Sequence, residues 1–378
     1  MNRESIFIRN ANSALLKLEP YVAGPTLEEI MRTTRATDEQ IIKLSSNENP
    51  LGPSPKAIET IQKAAPRVSL YPSAKCERLR KAIADALGQG LMTDNILVAA
   101  GSSEIFSFII RAFSKPSDKI LFGNPSFSVY GDAAIVDGRV PVPISLEEPL
   151  FDITCSEIEK QYSEKARILF ITRPNNPTSR LVPLGEVRKI CKLAKDAIVV
   201  CDEAYIEFAE DYRNVTAINL LSEFGNLLVT RTFSKAYGLS DLRVGYAVGP
   251  SEAIEVLFKI RPKWNNGELS QEAAIAALSD TEHLKKTLAT VREGRRFLSS
   301  HLSEMGFEVT ADPQGNFVFA SPSPLGVRAE YLLTELMTRG IAVRGPPADW
   351  KLNYLRISVG MEVQNEKVVT AIRDLVHR

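Results

Sequence analysis

The sequence predicts an α/β protein: a large unit with a mostly parallel sheet between helices, and a smaller α+β unit. Three observations predict it. Between residues 75 and 260, short apolar runs recur at Ile96–Ala100, Ile120–Phe122, Ile168–Thr172, Ile198–Cys201, Leu227–Thr230 and Val244–Val248, bounded by Gly, Pro and Asn. Segments of helical period, such as 183–195, lie between several of them. Continuous apolar strands separated by helices signal βαβ units whose sheet is covered on both faces. After about 260 the texture changes to a long helical stretch followed by alternating short strands and helices. The expected division is 46–262 for the large unit, and 1–45 with 263–378 for the small one.

Taken in order, Thr26 and Glu29 form a capping box behind Pro25, so a helix is expected near 26–34. A short strand follows at Ile41–Leu44. Asn47 to Pro55 is rich in Asn, Gly and Pro, which impose non-helical backbone, so a loop is expected there. A helix at 75–87 stops at Gly88, and the run ending at Ala100 meets Gly101 before a helix rich in Ile and Phe. Beyond 260 one helical stretch is expected from Leu269 to about Leu302. Strands then fall near 306–310 and 316–320, a helix at 328–339, strands at 341–344 and 353–358, and a last helix from about 362.

The chain has 378 residues, with 46 basic and 46 acidic side chains and a formal net charge of zero. At roughly 150 residues per domain this suggests two to three domains. Neutrality argues against a nucleic-acid protein, which needs a surplus of cations to meet phosphates. No apolar run approaches the ~20 residues of a membrane helix, and Met1-Asn2-Arg3-Glu4 opens no signal peptide, so a cytoplasmic protein is expected. Cys76, Cys155, Cys191 and Cys201 form no CxxC pair, which suggests neither a zinc ribbon nor a disulfide scaffold. No metal site is expected.

In parallel sheets ligands sit at the carboxyl ends of the strands, which directs attention to four polar clusters. Gly101-Ser102-Ser103-Glu104 opens a helix, where free N–H groups and the helix dipole favour an anion; a plain capped helix is the alternative. Pro174-Asn175-Asn176-Pro177-Thr178 follows a strand and holds its amides between prolines, or is simply a turn. In Cys201-Asp202-Glu203-Ala204-Tyr205, a carboxylate at the tip of a buried strand needs a cation or a donor. Asp202 either caps a helix or pairs with a protonated cofactor ring, and Cys201 reads as a small buried hydrophobe. In the segment from Thr232 through Ser234-Lys235 to Arg243, an amine suited to Schiff-base chemistry precedes a guanidinium suited to a phosphate.

Asn176-Pro177-Thr178, Asp202 with Tyr205, and Ser234-Lys235 with Arg243, in that order, resemble the aspartate-aminotransferase fold type I enzymes, which use pyridoxal 5'-phosphate. Pro20 to Gly24, Asn47-Glu48-Asn49-Pro50 with Gly52 to Pro55, and Leu355-Arg356-Ile357-Ser358 are similar to the histidinol-phosphate aminotransferases within that family. The resemblance runs from about residue 20 to 360. It implies that Lys235 forms the Schiff base and carries a proton, and that Asp202 pairs with the pyridine nitrogen. It implies further that Asn176 and Tyr205 bond the ring oxygen, that Ser102, Ser103, Thr232 and Arg243 hold the phosphate, and that Phe127 stacks on the ring. Tyr71 resembles a tyrosine that reaches the neighbouring subunit's cofactor, which implies a homodimer. Arg356 matches the arginine for the donor carboxylate, Arg344 an arginine that helps with a substrate phosphate, and Tyr21 an aromatic near the substrate side chain.

The resemblance thus implies transamination between glutamate/2-oxoglutarate and histidinol phosphate/imidazole-acetol phosphate. A transaminase for an aromatic or specialised amino acid, or a decarboxylase of an O-phospho amino acid, remains open. Three places depart from the family pattern: Ser179 stands where Gly is usual, Ser102-Ser103 replaces Ala-Asp, and Ser240-Asp241 replaces Ala-Gly. Serine resists backbone angles that glycine tolerates, so an altered turn is expected at 179.

Overall fold

The computed structural model describes residues 5–20, 24–34, 37 and 41–377. Its strands, in chain order, are β1 (Ile42–Lys43), β2 (Ile96–Ala99), β3 (Lys119–Asn124), β4 (Val140–Ser145), β5 (Ala166–Thr172), β6 (Ile198–Asp202), β7 (Leu227–Thr232), β8 (Gly245–Val248), β9 (Glu308–Val309), β10 (Phe317–Ser321), β11 (Ile341–Ala342) and β12 (Leu355–Ser358). Seven of them form one sheet in the order β2-β8-β7-β6-β5-β3-β4, parallel throughout except for β8, which runs against both neighbours.

Period-two alternation explains why the middle strands are continuously apolar. On β5, Leu169 and Ile171 enter one core while Ile168 and Phe170 enter another. The second of these packs the sheet against the helices Ser102–Phe113 and Ser251–Ile260. The first packs it against Glu77–Leu87 and Leu184–Leu193. All six apolar runs lie in strands. β4 was not anticipated, because Pro141 and Pro143 argue against a strand; it lies at the sheet edge, where a missing N–H is tolerated.

The expected single helix from 269 to 302 is two, Glu268–Ser279 and Thr281–Glu304. Asp280 leaves helical geometry and caps the second, accepting from the His283 N–H at 3.4 Å, while Ser54 Oγ holds its other oxygen at 2.5 Å. Ala273, Ala274 and Ala277 of the first helix share the core of the large sheet, on the side that the expected boundary at 262 had assigned to the smaller unit. The antiparallel sheet β12-β10-β9 and the helices Thr281–Glu304, Ala329–Thr338 and Glu362–Val376 enclose another core, around Phe317, Leu355 and Ile357. β1 and β11 pair in parallel beside it. The capping box forms as expected, with Glu29 N–H on Thr26 Oγ1 at 3.1 Å and Thr26 N–H on Glu29 Oε2 at 2.7 Å, opening the helix Leu27–Thr34. No helix among the described residues is long and apolar enough to cross a membrane.

Candidate active site

Sheet register assembles the first part of the site. Thr172 on β5, Asp202 on β6 and Thr230 on β7 stand side by side at the carboxyl ends of their strands. Asp202 is buried; its Oδ2 accepts from the Tyr130 hydroxyl at 2.6 Å and its Oδ1 from the Thr230 hydroxyl at 3.3 Å. Burial pushes its carboxyl up to about 6, with the Tyr130 and Thr230 hydroxyls opposing the rise. These side-chain donors are neutral, and among the described residues no Lys or Arg forms an ion pair with Asp202. A buried carboxylate left in this state fits a ligand that brings its own positive charge. Behind it, Arg173 and Arg231 hold Glu203 at 2.5 and 3.0 Å and tie the ends of the three strands together.

Lys235 sits in the turn after β7. Gly238, at φ +68°, shapes that turn, and a Cβ there would lie 2.4 Å from the Gly52 carbonyl oxygen, so the turn presses directly on the 47–55 loop. The Lys235 Nζ donates to the Ser46 carbonyl at 3.0 Å and lies 5.6 Å from the Tyr205 ring centre. Burial, then the nearby Arg356 charge, brings its amine down to about 8. An amine so placed is still mostly protonated at pH 7, but roughly a tenth of it is neutral, the state a nucleophile needs, against well under one part in a thousand for an ordinary lysine.

At one end of the cavity, Gly101 precedes the helix Ser102–Phe113 with φ +86°, and any Cβ would stand 2.6 Å from Arg243 Nη2. The missing side chain lets the guanidinium lie against the helix start, beside its unpaired N–H groups. Arg243 Nη1 is held by the Ser240 carbonyl at 3.0 Å and by Ser234 Oγ at 3.3 Å. The Thr232 hydroxyl accepts from the Ser234 N–H at 3.0 Å.

At the other end, Arg356 on β12 donates through Nη1 to Asn176 Oδ1 at 2.7 Å and through Nη2 to the Ser45 carbonyl. Asn176 Nδ2 in turn donates to the Tyr205 hydroxyl at 3.4 Å, which Asn47 Nδ2 also reaches at 3.3 Å. Ser358 Oγ holds Asn47 Oδ1 at 2.7 Å. Arg344 faces Arg356 through a backbone bridge, with N–H···O distances of 3.1 and 2.7 Å.

One cavity of about 320 Å³ gathers Ser102, Ser103, Phe127, Asn176, Asp202, Tyr205, Thr232, Lys235, Arg243, Arg344 and Arg356. Tyr71 lies outside it, 82 % exposed and against Trp264 at 4.9 Å between ring centres. Tyr21 lies outside the described residues. Ser179 adopts φ +64°, and its buried hydroxyl accepts from the Gly315 N–H at 2.7 Å, so the turn keeps its left-handed angle with serine in place. Sequence reasoning missed Tyr130, Thr172, Thr230, Asn47 and Trp350. The two threonines carried a usable signal, as polar residues at the ends of apolar runs; Tyr130 is inside a helix and carried none.

The anion-favouring helix start with Arg243, the buried Asp202 carboxylate and the low-pKa amine, all on one cavity, suit a flat cofactor bearing a phosphate, a basic ring nitrogen and a carbonyl. The profile of the aminotransferase class I and II family matches residues 39–372. A histidinol-phosphate aminotransferase of Akkermansia muciniphila is 35 % identical over 367 residues, covering 97 % of this chain and 98 % of that one. One from Methanococcoides burtonii is 37 % identical over 358 residues, covering 94 % and 96 %. Among solved structures, histidinol-phosphate aminotransferase from Sinorhizobium meliloti in complex with pyridoxal-5'-phosphate superposes with a TM-score of 0.86 at 23 % identity, over 97 % of this chain and 98 % of that one, a likeness of fold. The chain belongs to the aminotransferase class I and II family.

Proposed function

We propose that this protein is a pyridoxal-phosphate-dependent transaminase that moves an amino group between glutamate/2-oxoglutarate and histidinol phosphate/imidazole-acetol phosphate. The observation that carries the reading is the disposition of charge along one cavity: Arg243 at one end, Asp202 and Lys235 in the middle, Arg344 and Arg356 at the other. Relatives bearing that activity in their names, at 35 and 37 % identity over nearly the whole chain, support the substrate.

When bound, pyridoxal phosphate supplies a carbonyl that joins amines and a ring that draws electrons from the substrate α-carbon. The chain's residues divide the remaining work. Ser102, Ser103, Thr232 and Arg243 would hold the phosphate, and Phe127 would pack on the ring. Asp202 keeps the ring nitrogen protonated, which stabilises negative charge developing at the α-carbon. Asn176 and Tyr205 hydrogen-bond the ring oxygen. Lys235 would anchor the cofactor through its amine and, as a free amine, would take up and deliver the proton of the substrate α-carbon. Arg356 receives the carboxylate of glutamate or the phosphate of histidinol phosphate by paired hydrogen bonds, with Arg344 beside it. The exposed Tyr71, tilted against Trp264, serves the cavity of a second copy, so the working form is a homodimer, and its compartment is the cytoplasm. The helix Glu268–Ser279 moves with the cofactor-binding unit, and the division into two units falls near Asp280.

The visible spectrum of the holoenzyme tests this reading. Adding histidinol phosphate without a keto acid is expected to bleach the yellow band. Bleaching by glutamate but not by histidinol phosphate would keep the transaminase and remove the substrate. A band that neither amine changes, with carbon dioxide released from an O-phospho amino acid, would replace transamination by decarboxylation.

A further inference from the structure

The segment between the two arginines is a closed loop with an aromatic side chain at its far end. The backbone bridge between Arg344 and Arg356 clamps its base. Pro346 and Pro347 restrict its first limb, Ala348–Trp350 forms a 3₁₀ turn, and Lys351 takes the left-handed region at φ +55°. The returning limb is fixed by Asn353. Its Oδ1 accepts from the Ala329 N–H at 2.7 Å, its Nδ2 donates to Ser323 Oγ at 2.9 Å and to the Val327 carbonyl at 3.0 Å, and its own carbonyl accepts from Ser321 Oγ at 2.8 Å. Tyr354 then stacks on Phe319 at 4.4 Å. Both limbs are therefore rigid, and Trp350 is presented by a frame.

Trp350 lines the same cavity as Arg344 and Arg356. Among the described residues its ring stacks on no other ring, and its indole N–H has no acceptor. A half-buried tryptophan on a cavity lining leaves part of its aromatic face open to a flat group of a ligand. We infer that Trp350 is a specificity-determining residue, the wall on which a planar substrate side chain lies while the arginines hold the anionic end. The inference deepens the proposed function and rests on its assignment of this end of the cavity to substrate. It selects for donors that combine an amine, an anionic group and a flat ring, and against aliphatic ones of similar length.

The test measures the amine half-reaction of holoenzyme with histidinol phosphate, phenylalanine, leucine and glutamate, in wild type, Trp350→Ala and Trp350→Phe. The alanine variant is expected to raise the half-saturating concentration of the planar donors about tenfold relative to leucine and glutamate, with the phenylalanine variant recovering most of that. An unchanged planar-to-aliphatic ratio overturns the inference, and so does an equal loss for all donors. If the alanine variant does not fold, Trp350→Leu is read the same way. Wild type that converts phenylalanine but not histidinol phosphate removes the proposed substrate and leaves the ratio to decide Trp350. Wild type that converts no planar donor overturns both.

Discussion

The two ends of the cavity are built differently. At the cofactor end, Thr172, Asp202 and Thr230 project from neighbouring strands of one sheet whose register fixes their spacing, and Gly101 and Gly245 leave no room for any side chain between the helix start and β8. At the substrate end, Arg344, Trp350 and Arg356 are carried by a short strand, a loop with two prolines and a backbone bridge of two hydrogen bonds. The first end is held by the same hydrogen bonds that make the sheet, so a one-residue slip would dismantle fold and site together. The second can change length and side chains while the sheet stays intact. On the proposed assignment, chemistry common to many substrates sits on the strands, and choice among substrates sits on the loop.

The largest expected effect falls on the strand-built end. On the proposed function Lys235→Ala removes both the anchor and the proton carrier, and transamination is expected to fall by about 10⁴-fold or more. Steady-state turnover with histidinol phosphate and 2-oxoglutarate measures it, beside a circular dichroism spectrum that should not move. Normal turnover in this variant would take the chemistry away from Lys235 altogether.

Arg356→Gln probes the other end and should separate the two kinetic constants. On the proposed function Arg356 meets the substrate's anion, and in the structure it holds Asn176 at 2.7 Å. Losing a charge-assisted pair is expected to raise KM for the donor about 10- to 100-fold. The smaller change in kcat reports the Asn176–Tyr205 contact alone. Should kcat fall as far as KM rises, the two ends are coupled more tightly than their separate construction implies.

This contrast also explains what the sequence revealed. β2, β3 and β5–β8 were legible because strands buried on both faces must be continuously apolar, and Asp202 and Lys235 stood out because each interrupts or follows such a run. β4 was not, since its prolines are compatible only with an edge, and being an edge is a property of the whole sheet. The break at Asp280 was missed because helical periodicity runs on through both flanking segments; what stops the helix is Ser54, far away in sequence. Tyr130 and Trp350 were invisible for a related reason. One is an aromatic among helix residues and the other a loop residue, and only tertiary packing brings them to Asp202 and to the arginines. Ser179 shows the opposite case, a departure from the family pattern that suggested a changed turn. Its hydroxyl, bonded to the Gly315 N–H, stabilises an angle serine otherwise avoids.

The smallest expected effect distinguishes the ends by stability instead of rate. Asp202 is buried with neutral donors, and its carboxyl is raised from 3.8 to about 6. A group held above its unfolded value contributes stability at low pH that is lost as pH rises through the folded value. Without cofactor, then, wild type loses stability between about pH 4 and 6, because the unfolded chain ionises freely and the folded one resists. Asp202→Asn has nearly the same shape and cannot ionise. The cofactor-free variant should be more stable than cofactor-free wild type at pH 8 by about 1–3 kcal/mol, roughly 1–4 °C in Tm. Near pH 5 the advantage should shrink by about half. Saturating with pyridoxal phosphate should reverse the order, because wild type alone gains a cationic partner for its carboxylate. Calorimetry at the two pH values, with and without cofactor, measures all four quantities. An asparagine variant less stable than wild type in the absence of cofactor would mean that the folded protein already satisfies Asp202, and that the strand-built end is complete without its ligand.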